Sequence, residues 1–244
     1  MGNNARVLNG YPFVIIGPKN AILEMGEAEK VVRSENVAVC VRSFPNDDFA
    51  NIAGYNTLLK SRRFLDIFDN TDLILLCQLD AVILSDELEK WLLRGFDFVG
   101  APHFKGYSTP EMPPRLIPGA NGGLSLRSVD ASKRALDIVR TVKKTLRSKL
   151  VAWSGLPKLS NLLLRTKPWL LTKPNINEGI SWSILIPSII SDYRVATPQI
   201  AAEFAFEVLP RYLFGMNSKA LPFGCHAWQR YDQEYWFDMF PEKL

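Results

Sequence analysis

The stretch Leu73–Ile83, LILLCQLDAVI, constrains this chain more than any other, because it is apolar throughout except at Gln78-Leu79-Asp80. Bounded by Asp72 and by Ser85-Asp86-Glu87, it reads as one strand buried on both faces, the pattern of a parallel sheet. In open α/β sheets ligands gather beyond the carboxyl ends of the strands, so a carboxylate at that end is placed to meet a ligand or its cation. Asp80 either does this or caps the turn into the next helix.

The flanking segments alternate. Tyr11–Gly17 and Asn36–Arg42 read as strands with a short helix over 24–33 between them. After Gly54, the spacing of Leu58, Leu59, Phe64, Leu65 and Phe68 predicts a helix leading into the Asp80 strand. Ser85 is placed to cap a helix carrying Leu88, Trp91 and Leu92 that stops at Gly95. Asp97–Pro102 reads as another strand, and the prolines between Pro102 and Pro118 mark a loop. Ala120–Arg127 precedes a helix over 129–148 with Ala135, Leu136, Val139, Val142 and Leu146 along one side. Strand and helix in alternation predict a mostly parallel, Rossmann-like α/β sheet flanked by helices.

Composition permits one domain over residues 1–244: 47% hydrophobic and 22% charged residues suffice for a sizeable core in 244 residues. The formal charge of +4 is spread through mixed-sign segments, so no nucleic-acid partner is expected, while an anionic nucleotide or a membrane surface is compatible. Cys40, Cys77 and Cys225 cannot all pair within the chain, which favours a reduced, cytoplasmic setting. No run reaches the roughly 18 apolar residues of a membrane span. The Leu-, Trp- and Pro-rich insertion at 151–174 either rests on a membrane as a peripheral contact or packs as a small satellite core.

Several residues can carry chemistry. Asp80 suits Mg2+ or Mn2+, which take carboxylate, diphosphate and water oxygens. His226, in LPFGCHAW, is either a second, imidazole ligand or a satisfied buried histidine; Cys225-His226 has no partners at zinc spacing. Asn121-Gly122-Gly123 offers an amide and a bare backbone that can approach a sugar, or forms a tight turn. Glu178, in NINEGISW, is either a general base for an acceptor hydroxyl or a helix N-terminal charge.

Taken in order, GYN (Gly54–Asn56), LLCQLDAVI, FDFVGAP, NGGLSLR, NEG and LPFGCHAW resemble a largely uncharacterised family of GT-A-fold glycosyltransferases in which a QLDA word stands where relatives carry Asp-x-Asp. The resemblance runs from about Tyr11 to Trp228. It implies a GT-A-like domain, a nucleotide-diphosphate sugar donor, a glycan or other hydroxyl acceptor, and Mn2+ or Mg2+ as cofactor. In that light Asp80 and His226 hold the metal, Gln78 replaces the first carboxylate of the metal word, and Tyr55 and Asn56 face the nucleotide. Asn121, Gly122 and Gly123 then line the sugar pocket, and Glu178 with Asp80 serves catalysis. Two departures stand out: Glu178-Gly179 replaces the family's Glu-Asp, and YPFVIIGPKN matches the family's second strand, so the first strand–helix unit is lacking. The alternative expectation is a catalytically impaired glycan- or nucleotide-binding module of the same fold; a metal-dependent hydrolase lacks its usual His and Asp clusters.

Overall fold

The computed structural model describes residues 1–154, 173 and 175–240, so the insertion expected at 151–174 lies almost wholly outside the described residues. The chain is α/β, with small parallel and antiparallel sheets and helices between them. It opens with helix α1 (Gly2–Val7), then a parallel unit of β1 (Phe13–Pro18), α2 (Ile22–Arg33) and β2 (Val39–Phe44), close to the expected bounds. The helix expected after Gly54 forms as two pieces, α3 (Ile52–Leu59) and α4 (Arg62–Leu65). Ser61 starts the second by accepting from the Phe64 amide, a local bond that competes with helix continuation.

The single buried strand expected over 73–83 is instead two strands in two sheets. β3 (Leu73–Cys77) pairs antiparallel with β6 (Leu116–Ser128), which pairs antiparallel with β5 (Phe98–Phe104). The chain then turns through Gln78-Leu79-Asp80, and β4 (Val82–Ile83) joins a second sheet with β8 (Gly224–Cys225) and β7 (Ala205–Phe206). The mostly parallel sheet is therefore corrected: β3, β6 and β5 run antiparallel. An apolar run reports burial on both faces and says nothing of strand direction, and this sheet is covered on both. Phe98, Ile74 and Ala120 pack with α6 (Val129–Ser154) and the helical stretch around Trp182 and Ile186. Val99, Leu124 and Leu126 pack on the other face with Trp91 of α5 (Leu88–Leu92) and Phe204 of the helix Pro198–Phe204. Ser85 does not cap α5: Glu87 is at the cap without a side-chain bond, and the Ser85 hydroxyl is buried without a partner.

The β4 edge is closed by a side chain. Asn4 of α1, buried at 6% exposure, donates to the Ala81 carbonyl at 2.9 Å and accepts from the Ile83 amide at 2.9 Å, and Asn3 donates to the Ile83 carbonyl at 3.0 Å. The Asn4 carboxamide thus reproduces the donor and acceptor of a neighbouring strand, satisfying groups whose burial unpaired would be costly. Asn4→Ala is expected to cost about 1–3 kcal/mol, measured as a lowered urea midpoint with unchanged denaturant slope.

Candidate functional site

Register places the site. β7 and β8 are parallel with Phe206 opposite Cys225, so the next residues, Glu207 and His226, stand side by side. β4 is antiparallel to β8 with Val82 opposite Cys225, and the Ala227 amide donates to the Asp80 carbonyl at 3.1 Å, which brings Asp80 beside His226 from the other flank. Asp80, His226 and Glu207 therefore form a row across the end of the small sheet, with the imidazole in the middle.

The larger sheet supplies the floor. From Gly100 to Pro102 the partner on β6 jumps from Ser125 to Ala120, where an unbroken ladder would put Gly123, so Asn121–Leu124 forms an arch whose ends, the Asn121 and Leu124 carbonyls, rest against Gly100. The arch stays tied to the neighbouring chain, since Cys77 pairs with Leu124 and the Gln78 amide donates to the Gly123 carbonyl at 2.8 Å. Ser125 and Arg127 hold the Gly122 carbonyl at 2.8 and 3.0 Å. A Cβ on Gly123 would lie 2.1 Å from His226 Nε2, and one on Gly122 would lie 1.9 Å from Glu178 Oε1. The two glycines thus admit the protein's own imidazole and carboxylate.

Around His226 the polar atoms converge. Nε2 lies 3.1 Å from Gln78 Oε1 and 3.3 Å from Asp80 Oδ1, while Nδ1 on the opposite edge of the ring faces Glu207 Oε1 at 3.5 Å. The Asp80 side chain is 42% exposed, whereas His226 and Glu207 are buried, so solvent reaches this cluster from the Asp80 side. Burial alone would push the imidazole down, but the Asp80 and Glu207 carboxylates outweigh it and hold its pKa up at about 9. In return Asp80 is held below the usual carboxylate range, chiefly by its bond to His226.

The remaining expected residues divide. Tyr55 joins the network, its hydroxyl accepting from Gln78 Nε2 at 3.3 Å. Asn121 donates to Glu207 Oε1 at 3.1 Å and accepts from the Gly123 amide at 2.7 Å, clamping the arch. Asn56 is buried and accepts from the Glu178 amide at 3.2 Å, so it holds the helical turn Glu178–Ile180. Glu178 itself is sealed: its Oε2 lies 2.9 Å from Arg127 Nη2 with both side chains almost fully buried. The same turn is bound by Lys60, which donates to the Lys173 and Ile176 carbonyls at 3.0 and 2.7 Å and whose ammonium burial pushes down to about 8 against the pull of Glu178. Gly179 also belongs to this packing, since a Cβ there would lie 2.8 Å from both the Ala120 carbonyl oxygen and the Gly122 nitrogen. Sequence reading missed Glu207 and Arg127. Glu207 closes the short apolar run FAF (Phe204–Phe206) as Asp80 follows LILLCQL, so a similar signal marks it.

Among the described residues no three His, Cys, Asp or Glu side chains are grouped to hold a metal ion. A third donor comes from Gln78. Bonds of about 2.0–2.1 Å to an octahedral Mg2+ set neighbouring ligand atoms about 3 Å apart, and the separations of Gln78 Oε1 and Asp80 Oδ1 from His226 Nε2 match that edge length. Two oxygens and one imidazole nitrogen form a donor set compatible with Mn2+.

Residues 38–226 match the family described as Protein of unknown function (DUF5672), a span that covers most of the chain, ends at His226 and includes every residue of the site, and the chain belongs to that family. No curated protein and no solved structure matches the chain. No described helix is long and apolar enough to cross a membrane.

The raised His226 pKa predicts a pH signature. The histidine titrates near 6.5 in the unfolded chain and about 9 in the fold, so its ion pairs contribute fully below pH 6.5 and are lost as pH rises to 9. Urea unfolding of the metal-free protein at pH 6.5 and 9 should show a loss of roughly 3 kcal/mol over that window, and His226→Gln should abolish the slope.

Proposed function

We propose that this member of the DUF5672 family is a glycosyltransferase that moves a sugar from a nucleotide-diphosphate donor to a glycan or other hydroxyl acceptor, aided by Mn2+ or Mg2+. The observation that carries this reading is the approach of Gln78 Oε1 and Asp80 Oδ1 to His226 Nε2, at 3.1 and 3.3 Å, at a corner between two sheets and beside the partly exposed Asp80 side chain. Asp80, His226 and the Gln78 carbonyl oxygen would hold the cation. Bound there, a divalent ion supplies charge neutralisation for a diphosphate leaving group. The GT-A-like form of the fold belongs to the same proposal, and so does the resemblance of the QLDA, NGGLSLR and PFGCHAW words.

The chain's own residues then do the rest by position. Asp80, ionised and partly exposed, supplies the negative charge that attracts the cation to the corner. Tyr55 fixes the Gln78 amide by accepting from its Nε2, which turns Oε1 toward the corner. His226 must release the proton that it carries below pH 9, so cation binding takes place with proton release and strengthens as pH rises. Glu178, buried on Arg127, holds the arch that carries Gly122 and Gly123 rather than facing an acceptor.

The sealing of Glu178 and the close packing around Gly179 favour a second reading, a binding module for nucleotide or glycan that performs no transfer. One set of measurements separates the two. With Mn2+ present, a nucleoside diphosphate at a hundredfold excess over its dissociation constant should stabilise the wild type by about 2.7 kcal/mol, and Asp80→Ala should remove that stabilisation. Donor hydrolysis across a panel of nucleotide sugars with Mn2+ should then show turnover. Metal-dependent nucleotide binding without turnover selects a nucleotide-binding module, stabilisation by glycan but not by nucleotide with metal selects a glycan-binding module, and the lack of either response overturns both readings.

A further inference from the structure

Helix α6 has two halves of different character. Its first half is built into the protein, with Val129, Ala131, Ala135 and Val139 buried in the core that holds Trp182 and Ile186. Carboxylates answer the cations of that half: Lys133 pairs with Asp69 and Arg134 with Asp192. The last acid of the helix, Asp137, is held by Arg62 at 2.8 Å. After Val139 no residue through Thr145 is buried, yet the helix runs on to Ser154. Residues 140–154 therefore add about 22 Å of helix beyond the packed half.

The sequence of this outer half is cationic. Arg140, Lys143, Lys144, Arg147 and Lys149 fall in it, and no Asp or Glu follows Asp137 until Glu178. Residues 138–177 hold nine Lys and Arg, which leaves 20 basic against 25 acidic residues in the rest of the chain. The net positive charge is thus gathered in one stretch, where the whole-chain average had suggested an even spread. At about 100° per residue, the line begun by the buried Ala135 and Val139 continues through positions 142, 146, 150 and 153, which hold Val, Leu, Leu and Trp. Positions 140, 144 and 147, all Lys or Arg, fall on the other side of the helix.

An apolar line backed by cations, on a helix that has run past the core, fits a surface that is both anionic and apolar. A nucleic acid offers the charge without the apolar layer. A bilayer with anionic headgroups offers both, and a Trp suits its boundary. The outer half is too short to span the roughly 30 Å of hydrocarbon, and no described helix is long and apolar enough to cross. We infer that residues 140–154 of α6 form a membrane-surface helix that docks the protein on anionic lipid, lying in the plane of the interface with its apolar line toward the acyl chains and its Lys and Arg among the headgroups. This inference stands apart from the sugar-transfer reading.

Co-sedimentation of the full chain with vesicles tests it. Vesicles of equal parts phosphatidylcholine and phosphatidylserine should bind the wild type at low salt, release it as salt rises, and bind it far more tightly than pure phosphatidylcholine does. Each cation near an anionic surface is worth about fivefold in binding, so the combined Arg140→Gln, Arg147→Gln and Lys149→Gln variant should bind about 100-fold more weakly. Leu150→Ser with Trp153→Ser should weaken binding as well, which an attraction by charge alone would not require. All five positions lie beyond Val139, the last described residue of α6 in the core, so the urea midpoint should hold; if the serine variant is destabilised, the glutamine variant carries the test. No binding to the anionic vesicles, equal binding to the neutral ones, or full binding by the glutamine variant would overturn the inference. Binding to a DNA duplex without binding to vesicles would assign the helix to nucleic acid and overturn it too.

Discussion

The imidazole of His226 occupies the place where residue 123 would otherwise carry its Cβ. That one substitution of ring for methyl brings the floor of the antiparallel sheet and the end of the small sheet into contact. A side chain at 123 would push the ring off Asp80, Gln78 and Glu207 together, because all three are met by the same five-membered ring. Gly122 does the same for Glu178, one step along the chain and on the other side of the strand. Two adjacent glycines therefore seat two charged partners, one at the partly exposed corner and one in the interior.

The interior pair and the corner differ in what surrounds them. Arg127 and Glu178 are both almost fully buried, and a pair of that kind is strongly destabilising to break, by about 3–5 kcal/mol when one member is removed. It braces the arch through the Gly122 carbonyl. At the corner the Asp80 side chain remains 42% exposed, so its attraction for His226 is screened on one side and open to competition from solutes. Rigidity sits behind the site and access in front of it.

The apolar letters of Leu73–Cys77 made a strand legible, and the position of Asp80 beyond its end with it, but they overstated its burial: β3 is an edge strand in which Ile74 is buried and Cys77 is exposed. The direction of the neighbouring strands was not legible, because apolar content is the same whichever way the partners run. Nor was the break at Gln78 readable as a change of sheet: β4 spans only Val82–Ile83, and its partner β8 comes from near the other end of the chain. The pairing of His226 with Asp80 depends on that distant register. Glu207 carried a similar signature to Asp80, an apolar run closed by a carboxylate, but only the parallel pairing of Phe206 with Cys225 gives it a neighbour. For Glu178 the local letters left a general base and a helix N-terminal charge open; it does stand in the first turn of Glu178–Ile180, and its burial is matched by Arg127, far off in sequence and adjacent in space.

The corner takes Gln78 and Asp80 from a turn that leaves one hydrogen-bonded sheet and His226 from the other. Anything that grips all three at once acts as a rivet through two separately laced layers. Occupancy of the corner would then be felt as resistance of the layers to sliding, so slower amide exchange in β4 and β8, each only two residues long, would register a bound guest far better than any change in outline.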